Sequence, residues 1–324
     1  MKNLTRRGFI KLTSSAVVLS PFGQQLFANA KDVSVKTYTY KKVGNLEIKV
    51  VVHRRDDNVI RPVVVRVHGG ALIMGHRDWE NDKVCLKLLD EGYAIVSVDY
   101  RLAPETKLPG VIEDLEDVFD WVREEGPELL QVDTSKIAVI GGSAGGYLTL
   151  TSGFRVKPRP SVLIAFYGYG DLIGDWYSTP SKHHPSEISE QEAWEQVSGP
   201  PISDSRDRKG NGAAFYMYCR KHGLWPKAVS GWDPFTEAEK FFSYMPVKNV
   251  TGDYPPTMLI HGTNDTDVPY EQSLMMAEEF KKHNVEYELV TIPGAEHGLK
   301  DGEPKLVNAA YISAVEFVNR FMKR

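Results

Sequence analysis

Strand-length apolar runs alternate with helix-length amphipathic segments along this chain from residue 61 almost to its end, and few architectures accept that rhythm. The run Tyr93-Ala94-Ile95-Val96-Ser97-Val98 carries no charge and no polar alternation, as a strand buried on both faces requires. Residues 61–67, 137–140, 162–166, 257–260 and 287–292 read as further strands. Helical spacing links them. Val84, Leu88 and Leu89 share one face over 79–90, and Val111, Leu115, Val118, Phe119 and Val122 do so over 109–125. Further helices are expected from 147 onward, over 271–283 and over 303–322. Strands joined by helices give a mostly parallel central sheet covered on both faces. A leading hairpin, with strands at 34–40 and 46–53 and a turn at Val43-Gly44-Asn45, adds antiparallel edge strands. The expected class is therefore α/β, in which reactive groups gather at the carboxyl ends of the strands.

One stretch breaks the rhythm. About 90 residues separate the strand ending near Tyr167 from the strand at Thr257, far more than an ordinary connection. Four of the six tryptophans, Trp176, Trp194, Trp225 and Trp232, fall there with several Phe and Tyr. An insertion after a strand's carboxyl end lies over the reactive edge, so residues from about 169 to 251 read as a helical and loop cap. Most of its aromatics are expected to form the cap's own small core, with two to four lining a pocket.

The strand 136–140 runs directly into Gly141-Gly142-Ser143-Ala144-Gly145-Gly146 and then into a helix-compatible segment. A G-x-S-x-G between a strand and a helix is the pattern of a nucleophile elbow. Small neighbours permit the strained turn that projects the Ser143 hydroxyl, and the Ala144 amide then stands at a helix N-terminus where it can bind a developing oxyanion. A second amide must come from the loop after the third strand, where His68-Gly69-Gly70-Ala71 stands. Gly69 or Gly70 is expected to supply it. His68, placed just before those glycines, is expected to orient the loop rather than act as a base.

These motifs, together with Asp99-Tyr100-Arg101-Leu102-Ala103-Pro104-Glu105, resemble the hormone-sensitive-lipase-like carboxylesterases of the α/β-hydrolase superfamily, in the same order over nearly the whole chain after residue 30. One departure is Ala71, where many members have a third glycine. The resemblance implies an α/β-hydrolase fold, mostly parallel with flanking helices, over residues 31–324. It also implies that the Asp99–Glu105 stretch braces the active-site loops, for which an ion pair between Asp99 and Arg101 is expected. The strand at 257–260 is followed by His261-Gly262-Thr263-Asn264-Asp265-Thr266-Asp267-Val268-Pro269, which offers two acids. The family pattern H-G-x-x-D-x-x-V-P places the acid at Asp265; Asp267 is the runner-up, otherwise expected to cap the helix starting near Tyr270. The loop Gly294-Ala295-Glu296-His297-Gly298 supplies His297 as the base. The order Ser143, Asp265, His297 is the one this fold uses.

The reaction so implied is carboxylic-ester hydrolysis through an acyl-enzyme, with no metal or organic cofactor. The substrate class is a small to medium ester, with a carbohydrate-linked acetyl or aryl ester among its members. Two alternatives stand beside it. A prolyl-oligopeptidase-type peptidase shares the order of the three residues, and an exported binding protein could reuse the scaffold without catalysis. Dienelactone-type relatives need a cysteine where Ser143 stands.

The first thirty residues have a different character. Lys2, Arg6, Arg7 and Lys11 precede any acid, a mildly apolar run spans 12–22, and Ala28-Asn29-Ala30 has the form of a leader-peptidase site. Thr5-Arg6-Arg7-Gly8-Phe9-Ile10-Lys11 resembles the twin-arginine export signal. Cleavage after Ala30 would remove four of 39 basic side chains and none of 43 acidic ones, taking the net charge from −4 to −8. An acidic body disfavours a phosphate-neutralising nucleic-acid surface. No apolar stretch reaches the roughly 20 residues of a membrane-spanning helix. The expected location is periplasmic or secreted. Cys85 and Cys219 are expected as buried free thiols, since proteins on this route fold in a reducing compartment.

Overall fold

The computed structural model describes residues 33–79 and 82–323; the expected export segment at 1–30 lies outside them. The β-branched runs form eight strands: β1 Val33–Val43, β2 Leu46–Arg55, β3 Arg61–Val67, β4 Ala94–Val98, β5 Val132–Gly142, β6 Val162–Phe166, β7 Thr257–Gly262 and β8 Tyr287–Ile292. They make one sheet in the order β1-β2-β4-β3-β5-β6-β7-β8. β2 pairs antiparallel with β4, and from β4 onward every pairing is parallel. Val65 faces both Val96 and Val139 in register, and Val139 faces Leu163. β4, β6 and β7 are buried along their whole length, as central strands covered by helices on both faces are, with Ser97, Thr257 and His261 the polar side chains buried in them.

Helices cover both faces. α1 (Lys83–Asp90) packs with α10 (Pro304–Met322); α2 (Leu108–Glu125) packs with α3 (Ala144–Arg155); α9 (Glu271–Lys282) packs against β7 and β8. α1 is shorter than the apolar period from 79 suggests. The Asp82 carboxylate accepts a hydrogen bond from the Cys85 amide at 3.1 Å and so fixes the first turn there.

Between β6 and β7 lie α4 (Asp175–Ser178), α5 (Glu190–Glu195), α6 (Ala213–His222), α7 (Trp225–Ser230) and α8 (Glu239–Phe242). A capping box between Ser189 and Glu192 starts α5. Aromatic stacking forms much of this segment's core. Tyr177 lies between Trp176 (3.6 Å) and Trp225 (3.9 Å), and Tyr169 meets Tyr177 edge-on while stacking on Tyr147 of α3. The rings thus join the insertion to the helix that follows Ser143.

The Asp99–Glu105 stretch braces its surroundings through partners the local sequence does not suggest. Asp99 does not pair with Arg101. It accepts from the amide and guanidinium of Arg77, both at 2.6 Å, while Arg101 pairs with the fully buried Asp114 of α2 at 2.7 Å. Glu105 binds Arg208 of the insertion, and both side chains are 3% exposed. Cys85 and Cys219 are buried free thiols.

Candidate active site

Ser143 follows β5 and precedes the first turn of α3, with φ 57° and ψ −124°, a region L-residues avoid. Two kinds of contact hold the strain. The Ser143 amide donates to the Phe166 carbonyl at the end of β6 (3.0 Å), and small residues let α3 press on the neighbouring strand ends. A Cβ at Gly145 would lie 2.7 Å from the His68 carbonyl oxygen and closer still to that of Val67. One at Gly146 would sit 2.8 Å from the Gly168 Cα. Ala144 occupies the first position of α3, where an amide has no intrahelical acceptor.

The loop after β3 folds back tightly. Gly70 has φ 108°, and its carbonyl accepts from the amides of Ile73 (2.9 Å) and Met74 (2.7 Å). Gly69 lies against the elbow, where an added Cβ would stand 2.8 Å from the Gly142 carbonyl and 3.3 Å from the Ser143 Cβ. Among the described residues, no turn or loop bond uses the amides of Gly69, Gly70 or Ala144. His68 stacks on Tyr100 at 4.3 Å, with its Nδ1 2.7 Å from the Gly69 carbonyl; burial pushes its pKa down to about 3. It is a neutral support for the loop. The insertion clasps the same loop: Trp225 Nε1 donates to the Ala71 carbonyl (2.9 Å), and Ser205 exchanges bonds with Gly75 (3.1 Å each).

His297 stands in the loop after β8, and its Nδ1 lies 2.8 Å from Asp265 Oδ2. The other oxygen of Asp265 accepts the amides of Asp267 (3.0 Å) and Val268 (2.8 Å). Under this carboxylate lies His261, fully buried, with Nε2 3.0 Å from the Val268 carbonyl and 3.3 Å from Asp265 Oδ2. A carbonyl only accepts, so Nε2 carries a proton; Nδ1 lies 2.7 Å from Ser273 Oγ. Burial would raise the Asp265 pKa, but the hydrogen bonds from His261 and His297 outweigh it and hold the group below its ordinary value. The base responds in the opposite sense. Burial would lower the His297 pKa, yet the bond to Asp265 and the charge of Asp267 carry it above the usual histidine value.

Asp267 does not cap the helix near Tyr270, since Tyr270 precedes α9 without a side-chain cap. Its Oδ2 stands 3.5 Å from His297 Nε2. The two candidate acids therefore face different nitrogens of one imidazole.

Ser143, Gly69 and His297 line one cavity of about 480 Å³, with Arg66, Asp82, Lys83, Tyr167, Lys300 and Tyr311 among its other walls. Tyr167 meets His297 edge-on at 4.9 Å. It follows β6 directly, a strand-end position that marks it as a site residue in hindsight; Tyr311, on α10, carries no such local signal. The insertion's aromatics line a different space. Trp194, Phe215 and Tyr218 border a separate apolar cavity of about 270 Å³ on the insertion itself.

A backbone amide at a helix N-terminus, a facing glycine loop and an imidazole oriented by a carboxylate can together support nucleophilic acyl transfer at Ser143. A family model described as alpha/beta hydrolase fold matches residues 64–300. Among curated proteins the chain is similar to the non-reducing polyketide synthase Preu3 of Preussia isomera, 28% identical over 314 residues. That match covers 82% of this chain and 12% of the relative, so the chain spans about an eighth of its length. Among solved structures it is similar to a protein of unknown function from Staphylococcus aureus subsp. aureus Mu50 (22% identity, TM-score 0.71, 89% of this chain and 99% of that one). It is also similar to the acetyl ester-xyloside bifunctional hydrolase of Caldicellulosiruptor lactoaceticus (22% identity, TM-score 0.63, 88% and 96%). At these identities the structural likeness is one of fold.

Proposed function

The chain belongs to the α/β-hydrolase family, and from that premise we propose that it is a serine carboxylic-ester hydrolase working through an acyl-enzyme. The observation that carries this reading is that Ser143, on its strained turn, shares one cavity wall with His297, which is tied to Asp265 at 2.8 Å. Ser143 Oγ attacks the ester carbonyl while His297 Nε2 takes its proton. The tetrahedral oxyanion is held by the amide of Ala144 and that of Gly69 or Gly70. His297 returns the proton to the departing alcohol, and a water then repeats the sequence on the acyl-enzyme. Asp265 fixes the Nδ1–H tautomer and stabilises the imidazolium. The chain's own residues supply every catalytic group these steps use.

The cavity beside Ser143 supports a polar alcohol side of the substrate. Tyr167 and Tyr311 offer hydroxyls, and Lys83 and Lys300 offer ammonium groups, whereas the more apolar cavity belongs to the insertion. A short acyl group on a hydroxyl-rich alcohol, such as an acetylated saccharide, fits this chemistry; the likeness to an acetyl ester-xyloside hydrolase points the same way. Steady-state rates over p-nitrophenyl acetate, octanoate and palmitate, acetylated xylan, methyl ferulate and proline-containing chromogenic amides test the reading. The expected result is kcat/KM highest for acetyl esters and falling by about 10-fold at octanoate, since a longer acyl chain would strip water from the tyrosine hydroxyls and lysine ammonium groups among the cavity walls without replacing their hydrogen bonds. Faster cleavage of the amides would replace an esterase with a peptidase. The twin-arginine-like stretch at 5–11 supports export of the enzyme to the substrates of an outer compartment.

A further inference from the structure

Asp267 lies two residues beyond Asp265, and the turn that presents one carboxylate to His297 Nδ1 presents the other near Nε2, at 3.5 Å. Nε2 is the nitrogen that receives the Ser143 proton in the proposed reaction, so an anion beside it is not neutral scaffolding. Its position is built by the insertion. Asp267 Oδ1 accepts from Tyr216 Oη, from Arg220 Nη1 (2.9 Å) and from His184 Nε2 (3.0 Å). Arg220 is 2% exposed, donates also to the Asp267 carbonyl (2.9 Å), and lies 4.7 Å over the Tyr177 ring. All three donors belong to the segment between β6 and β7, and this cluster joins that segment directly to the loop carrying Asp265.

We propose that Asp267 is a positioning residue for His297, through which the insertion acts on the general base. The inference rests on the serine-hydrolase reading of the site. Three donors pin one oxygen and leave the other toward the imidazole, so the carboxylate can hold a protonated His297 in place without swinging away. The groups facing His297 from the packed elements are Asp265 and Asp267 on the β7–α9 loop, Glu296 and Lys300 on its own loop, and Tyr167 after β6. Of these, Asp265 and Asp267 are the carboxylates that contact the ring. Burial would raise the Asp267 pKa, but the bond from His184 and the charges of His297 and Arg220 hold it well below its ordinary value, so the group is anionic at neutral pH.

The sign follows. An anion beside Nε2 favours the imidazolium, and a base must be neutral to accept a proton, so Asp267 moves the acid limb of the rate profile upward. Asp267→Asn removes that charge, and the acid limb of kcat/KM for p-nitrophenyl acetate is expected to move down by about one pH unit. Tyr216→Phe keeps the charge and removes one donor; Arg220 and His184 still hold that oxygen, so the carboxylate becomes more basic in place and binds the imidazolium more strongly, and its limb is expected to move up. Opposite shifts in two variants of one cluster are not what a merely structural contact produces, since that would change kcat and leave the limbs in place. Both variants are made in the full chain, and Tyr216→Phe keeps a clear readout even where the uncompensated Arg220 in Asp267→Asn lowers stability. Limbs that coincide with the parent enzyme's, or that shift in the same direction, overturn the proposal. If Ser143→Ala hydrolyses the ester as fast as the parent, the serine reading itself has failed; if that variant is inactive while the limbs stay fixed, only the role of Asp267 has.

Discussion

Ser143→Ala is expected to keep the fold and lose ester turnover by about 10⁴-fold or more, because it removes the atom that forms the acyl-enzyme. Little of the fold depends on that hydroxyl. The elbow is held by the Ser143 amide on the Phe166 carbonyl and by glycine contacts on either side, and all of these survive the change. What also survives is the oxyanion pocket, so a residual rate above that in water is expected. The loss should appear in kcat rather than KM, since the cavity that binds the ester is nearly unchanged. The measurement is kcat and KM for p-nitrophenyl acetate beside a thermal unfolding curve for each protein.

Gly145→Ala is expected to do the reverse, destabilising the protein by about 3 kcal/mol, because its methyl group would press on backbone that has nowhere to go. The carbonyls it would strike belong to Val67, the last residue of β3, and to His68 just after it, and β3 is hydrogen-bonded to β4 and β5 in the middle of the sheet. Moving them displaces Gly69 and Gly70 as well, so surviving molecules should also lose turnover. Urea unfolding followed by tryptophan fluorescence reads the effect. A midpoint equal to the parent's would mean that α3 approaches β3 less closely than described.

Much of the sheet was legible from local chemistry. Arg61–Val67, Val162–Phe166 and Tyr287–Ile292 begin and end where the sequence reading places them. Helix starts were less so, because one side chain decides them: Asp82 capping the Cys85 amide moved the start of α1 away from Trp79. The misread partners share a cause. Asp99 and Arg101 are two residues apart, and proximity in the chain suggested a pair, but their partners Arg77 and Asp114 arrive from other elements. Asp267 has the spacing of a helix cap before Tyr270, yet its donors come from the insertion, whose aromatic-rich, loop-broken sequence has no period to follow. His261 stood in plain view at the end of β7; its place beneath the Asp265 carboxylate becomes visible only when the turn closes. Tyr311 reaches the cavity from a helix far along the chain, where sequence offers nothing to distinguish it.

Everything proposed for this site depends on Ser143 being a nucleophile activated within the fold. Stoichiometric reaction with a fluorophosphonate, followed by peptide mapping, tests that most directly. The predicted result is one label per chain, on the peptide carrying Gly141-Gly142-Ser143-Ala144-Gly145, with loss of esterase activity in proportion and no label on Ser143→Ala. A chain that hydrolyses esters at full rate while Ser143 stays unmodified by the probe would contradict it.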